Sequence, residues 1–149
     1  MNAYDKALSL LSIREHTAKE ITRKLLDKGF PKDEIELAIA RLISQNYLSE
    51  ERFAESYIRS RLKKTAEGKS LLKMRLCEKG TPSSIADEYL SYAWDEKAYI
   101  PSLKKEYDSL CSKKGREKAY TKFLSKGFTI SEIRSISEED FEFWFLMEK

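Results

Sequence analysis

The chain has 149 residues, 41% of them hydrophobic and 36% charged, with 28 Lys and Arg against 25 Asp and Glu and no Val at all. The apolar share supplies a core, and the charge, well above the ~25% of an ordinary globular domain, suits helices with heavily solvated outer faces. The missing Val argues against strands, no apolar run of ~18 residues suggests a membrane span, and the N-terminus lacks a signal-peptide core. The expectation is an all-α, cytoplasmic protein.

The first expected helix carries Tyr4, Ala7, Leu8 and Leu11. Thr17, with Glu20 three residues later, forms a capping-box start for a second, which runs to Lys28-Gly29. Pro31-Lys-Asp-Glu restarts the chain into a third with Ile35, Ala38, Ile39, Leu42 and Ile43 on its apolar stripe. Ser49 caps a fourth helix containing Phe53, Ala54, Tyr57, Ile58 and Leu62, expected to end near Ala66-Glu-Gly68. A fifth stops at Lys79-Gly80, and Pro82-Ser-Ser opens a sixth with Ile85, Ala86, Tyr89 and Leu90. Pro101 places the regular start of the seventh, with Leu103, Tyr107, Leu110 and Cys111, near Ile100. An eighth ends at Lys126-Gly127, and Thr129-Ile-Ser-Glu begins a ninth with Ile133 and Ile136. Beyond Ser137, Glu-Glu-Asp precedes Phe141, Phe143, Trp144 and Phe145, read as a last helical turn folding its aromatics inward or as an acidic-aromatic docking segment.

Three of these helices are variants of one phrase: ITRKLLDKGF at 21–30, LLKMRLCEKGT at 71–81 and AYTKFLSKGF at 119–128. Aligned on Gly29, Gly80 and Gly127, they place Ile21, Leu72 and Ala119 eight residues before the glycine. Leu25, Leu76 and Phe123 come four before it, and Leu26, Cys77 and Leu124 three before it. The expectation is a single buried stripe, a last-turn Lys facing the negative end of the helix dipole, and a glycine in the left-handed conformation. The period of about fifty residues divides the chain into three-helix repeats at 1–47, 48–93 and 94–149.

Catalytic chemistry finds no foothold, so no catalytic residue, metal ligand or cofactor is assigned. His16, the sole histidine, reads as a solvated turn residue, and the carboxylates read as lying opposite the apolar stripes. Cys77 and Cys111 have neither the partners nor the spacing of a zinc site and read as small core residues. Charge is more informative. Residues 1–80 hold 17 Lys and Arg against 12 Asp and Glu, whereas 81–149 hold 11 against 13. Arg59, Arg61, Lys63 and Lys64, followed by Lys69, Lys73, Arg75 and Lys79, form a stretch with only Glu67 and Glu78 for acidic company. A second basic group comprises Lys113, Lys114, Arg116, Lys118, Lys122 and Lys126. Such faces either keep a helical protein soluble or meet a polyanion or an acidic protein groove.

The phrase SEERFAESYIRSRLKK at 49–64 strongly resembles the most distinctive motif of the RecX family, bacterial regulators of the RecA recombinase. The matching residues are Glu50, Glu51, Arg52, Phe53, Ala54, Tyr57, Ile58, Arg59 and Arg61. The likeness covers 3–64, including Arg14-Glu15-His16, and extends to about 93; beyond that the three-helix rhythm and Phe123-Leu124-Ser125-Lys126-Gly127-Phe128 persist. The stretch Thr65–Ser70 departs from the family's basic, Gly-led connection. The resemblance implies an elongated, curved array of three-helix units, a cytoplasmic monomer lying in the groove of the RecA filament on DNA. It would inhibit strand exchange, ATPase and coprotease activities in recombination, repair and the SOS response, touching single-stranded or duplex DNA only weakly. Arg52, Phe53, Ala54, Tyr57 and Ile58 would then be scaffold, and Arg59, Arg61, Lys63, Lys64, Lys69, Lys73 and Arg75 the contact surface. Two other classes fit the residues: a stand-alone helical DNA-binding regulator and an adaptor that docks through its aromatic end.

Overall fold

The computed structural model describes residues 1–136, so the acidic-aromatic end from Ser137 lies outside the described residues. Nine helices and no strand occur among them: α1 (Ala3–Ile13), α2 (Ala18–Asp27), α3 (Lys32–Ser44), α4 (Glu50–Lys64), α5 (Lys69–Lys79), α6 (Ser83–Asp95), α7 (Ile100–Lys114), α8 (Arg116–Ser125) and α9 (Ile130–Ile136). The all-α reading and the three-by-three order hold. Local signals explain the boundaries. Thr17 accepts from the Glu20 amide while the Glu20 carboxylate accepts from the Thr17 amide, a complete capping box. Thr129 and Glu132 repeat it at α9. The Ser49 hydroxyl accepts from the Arg52 amide, and Pro101 sits in the first turn of α7. The helix α4 stops at Lys64, earlier than the sequence suggested. Its expected tail, Ala66-Glu67-Gly68, is instead a buried connection.

Two compact units form among the described residues: 1–58 with 73–89, and 59–72 with 90–136, so the middle repeat contributes to both. In the first unit α1, α2 and α3 pack around Ala3, Ala7, Ile21, Leu25, Ile35, Ala38, Leu42 and Leu48. Full burial of each of the large aliphatic side chains contributes about 1.5–3 kcal/mol. In the second unit α7, α8 and α9 enclose Leu103, Tyr107, Phe123, Phe128 and Ile133. The rings of Tyr107 and Phe123 meet edge to face at 5.9 Å, and Trp94 stacks on Tyr99 at 4.9 Å.

The Lys-Gly marks turn out to be docking ends. In the first unit the C-terminus of α5 sits on the N-terminus of α2: the Thr17 hydroxyl donates to the Lys79 carbonyl at 2.5 Å, and Lys19 Nζ donates to the Glu78 carbonyl at 3.1 Å. In the second unit the C-terminus of α8 sits in the same way on the N-terminus of α5, with the Gly68 amide donating to the Lys126 carbonyl at 2.8 Å. Thr17 and Gly68 each lie twelve residues before their own repeat's marking glycine. One junction has therefore been built twice from equivalent positions. Backbone approach is close at both. A Cβ on Gly80 would stand 2.6 Å from Lys19 Cβ, and one on Gly68 would overlap the Gly127 carbonyl group. The marking glycines are left-handed as expected, with φ of 89°, 108° and 93°.

Several sequence expectations are corrected. The buried stripe holds Ile21 and Leu25, Leu72 and Leu76, Ala119 and Phe123, but Leu26, Cys77 and Leu124 are exposed. A residue next to the buried row lies about 100° around the helix from it, and these helices are packed only on the side of the row. Ile43 is exposed for the same reason. Cys77 is therefore a surface thiol, Cys111 is half-buried, and neither is in a disulfide. His16 is 2% exposed rather than solvated, and Glu20 and Glu67 are buried carboxylates. Lys79 and Lys126 face carboxylates, Glu20 at 3.9 Å and Glu106 at 3.2 Å, rather than serving only the helix dipole.

Candidate partner-binding surface

The 49–64 motif begins as a clamp within the first unit. Glu50, the first residue of α4, accepts the Ala18 amide at 3.0 Å, satisfying a donor of the α2 N-terminus that has no partner within its own helix. Burial raises the Glu50 carboxyl above its ordinary value, against that hydrogen bond. Arg52 Nε donates to Glu15 at 3.1 Å, and its two terminal nitrogens donate to the side chain and carbonyl of Asn46 at 3.0 and 2.7 Å. Asn46 has a φ of 62°, so one guanidinium holds the left-handed turn that leads into the motif. Phe53, Ala54 and Ile58 are buried, and Tyr57 stacks on Phe53 with centroids 5.6 Å apart. The motif marked these residues and the resemblance included Glu15, but nothing in the sequence paired them with Glu15, Ala18 or Asn46.

The seven basic candidates fall into two groups. Arg59, Arg61, Lys63, Lys64 and Lys69 belong to the second unit, Lys73 and Arg75 to the first. Arg59, Lys63 and Lys64 are exposed, and Arg59 and Lys63 share a face of α4 one turn apart. Arg61 differs: its Nε donates to the buried Glu67 at 2.6 Å, pinning the 65–68 connection. Removing one partner of so buried a pair is costly. Lys69 opens α5 and is half-buried. Lys73 pairs with Asp87 at 2.8 Å, a hydrogen bond that raises the lysine above its ordinary value.

Arg75 lies elsewhere in character. It lines a groove of about 630 Å³ within the first unit, together with Lys19, Glu20, Thr22, Arg23 and Leu26 of α2, Tyr57 of α4, and Glu78 and Lys79 of α5. Lys79 Nζ sits 5.7 Å over the Tyr57 ring. Glu20 is held low by the Arg14 guanidinium and the Thr17 amide, which outweigh its burial. His16 Nδ1 lies 2.9 Å from the Arg14 carbonyl and Nε2 3.1 Å from Lys24 Nζ. Burial lowers its pKa, helped by the Arg14 and Lys24 charges. A neutral ring donating to the carbonyl and accepting from the lysine fits these partners. Among the described residues no group of His, Cys, Asp and Glu is placed to hold a metal, and no helix is long and apolar enough to cross a membrane.

The fold and its surface thus define an all-helical protein of tandem three-helix repeats whose middle segment is cationic. Residues 3–42 match the family model described as RecX, first three-helix domain, and residues 49–90 match RecX, second three-helix domain. The chain belongs to the RecX family. It is 34% identical to the regulatory protein RecX of Prosthecochloris aestuarii, over 92% of each chain. It is 31% identical to that of Haemophilus influenzae strain PittEE, over 95% of this chain and 97% of the relative. The crystal structure of RecX from Lactobacillus salivarius is similar with a TM-score of 0.77 at 27% identity, covering 90% of this chain and 91% of that one. A second crystal structure of a regulatory protein RecX shares the fold, with a TM-score of 0.80 at 24% identity, covering 92% of this chain and 72% of that one.

Proposed function

We propose that this chain binds the RecA filament assembled on DNA and inhibits its strand-exchange, ATPase and coprotease activities by occupying the filament groove, with no catalytic step of its own. The observation that carries the reading is the 49–64 motif, whose first half is consumed in building the repeat junction while its second half presents Arg59, Lys63 and Lys64 to solvent. A cationic helix end continuing into Lys69 is complementary to an acidic protein groove and to phosphates. Arg61 serves mainly to hold the 65–68 connection, and Lys73 to pair with Asp87. The protein acts as a monomer in the cytoplasm, where its target works, and its own affinity for DNA is weak.

The test is RecA ATPase on single-stranded DNA with substoichiometric protein. Inhibition that weakens with added salt supports the reading, and no effect at any salt concentration sinks it. Sequence-specific duplex binding in the absence of RecA would favour a stand-alone DNA-binding regulator instead.

A further inference from the structure

The groove between α2, α4 and α5 is a second cationic feature, and of the seven basic candidates only Arg75 lines it. Its rim carries Lys19, Arg23, Arg75 and Lys79 against Glu20 and Glu78. Glu20 is 7% exposed, and its carboxylate already accepts from Arg14 and from the Thr17 amide. Lys19 donates to the Glu78 main-chain carbonyl, which carries no formal charge. The exposed balance is positive. The interior is apolar, with Leu26, 48% exposed, beside the half-buried Tyr57.

Repetition separates what builds the junction from what decorates it. Lys19, Thr22, Arg23 and Leu26 form one face of α2 at helical spacing. The equivalent positions of α5 hold Ser70, Lys73, Met74 and Cys77, and those of α8 hold Glu117, Tyr120, Thr121 and Leu124. The docked ends recur, but this combination of two cations with an aliphatic residue does not. Packing therefore does not require Arg23 or Leu26. Neither is held in a hydrogen bond or ion pair among the described residues, and both are exposed.

We propose that this groove binds a carboxylate-rich peptide segment of a partner protein, with an apolar side chain of that segment resting on Leu26. Its volume lies within the ~300–1,000 Å³ of ligand-sized clefts, room for a few side chains. The exposed Lys19 and Arg23 supply the charge-assisted contacts used in acidic-motif recognition. A single-stranded nucleic acid fits less well, because its bases need an open aromatic face. Phe53 stacks on the Tyr57 ring, and Lys79 also lies over that ring. This site goes beyond the recombinase reading and does not depend on it.

The test is fluorescence anisotropy of the full chain with a labelled Glu/Asp peptide containing one Phe and one Leu, beside a Gln/Asn version and labelled oligo(dT). The acidic peptide should bind and the Gln/Asn version should not. Arg23→Glu and, separately, Leu26→Ser should weaken binding by about tenfold or more, the scale of one good contact, with helicity unchanged. Lys118→Glu on α8 should leave it unaltered. The proposal is overturned by absence of peptide binding at low salt, by insensitivity to both groove variants, or by an equal loss in Lys118→Glu. Preferential binding of oligo(dT), lost in Arg23→Glu, would overturn it in favour of nucleic acid.

Discussion

The Thr17 hydroxyl donates to the Lys79 carbonyl at 2.5 Å while accepting from the Glu20 amide at 3.0 Å, so one side chain both caps α2 and ties the second repeat to the first. Thr17→Val keeps the shape and removes both bonds. It should destabilise the protein by about 1–3 kcal/mol, combining a lost cap with a part-buried carbonyl left without its donor. Thr17→Ser should retain most of that stability. Urea denaturation of the three proteins checks this, and equal stability of Val and Ser variants would contradict it.

Gly29 and Gly80 occupy the same helix-ending position with similar φ, but only Gly80 is docked: a Cβ on Gly29 meets nothing within 4 Å. Gly29→Ala should cost only the left-handed strain of about 1–2 kcal/mol. Gly80→Ala should cost about 1–3 kcal/mol more, from the overlap with Lys19. Denaturation midpoints that fall by the same amount would argue against the docked junction.

Arg52 joins Glu15 to the Asn46 turn through three donors. Arg52→Lys keeps the charge and loses the fork, so it should restore little of the stability lost in Arg52→Ala, about 1–3 kcal/mol. Thermal unfolding of the pair measures this. A lysine variant as stable as the parent would show that charge alone suffices.

His16 gives a pH signature. Its folded pKa lies below the ordinary 6.5, so on acidification the unfolded chain takes up the proton first. The stability it contributes is complete above the unfolded value and is lost as the pH falls through 6.5 toward the lowered folded value. Between about pH 7 and 5 the parent should therefore lose stability more steeply than His16→Gln. Denaturant melts at several pH values test it, and parallel curves would contradict it.

Local signals made much of the fold legible in the sequence. The Thr17–Glu20 capping box, Pro101 at the start of α7 and the left-handed marking glycines depend on residues within a few positions of one another. The burial of His16 and Glu67 could not be read, because it is set by neighbours brought in through tertiary packing. Leu26, Cys77 and Leu124 fit the apolar stripe yet lie at the surface, because helical periodicity gives a direction but not the width of the covered arc. For the candidate surface, the sequence pointed to the α4 end but did not separate Arg61, committed to Glu67, from the exposed Arg59 and Lys63. The groove lined by Arg23 and Leu26 has no sequence signature, since its walls come from three helices of two repeats.

Charge reversal separates these roles. Arg59→Glu with Lys63→Glu should weaken RecA inhibition by about tenfold or more while leaving helicity intact, as expected for exposed contacts that steer and hold a partner. Arg61→Glu should instead lower stability, by placing a second carboxylate beside buried Glu67. Full inhibition by the double variant would move the contact surface elsewhere.

The most direct measurement is a pull-down of RecA by the immobilised full chain, with and without single-stranded DNA and a slowly hydrolysed ATP analogue. Strong capture that requires both DNA and nucleotide, and that falls in the Arg59→Glu, Lys63→Glu variant, is the predicted result. Absence of capture under every condition, or equal capture of free RecA, would contradict recognition of the assembled filament.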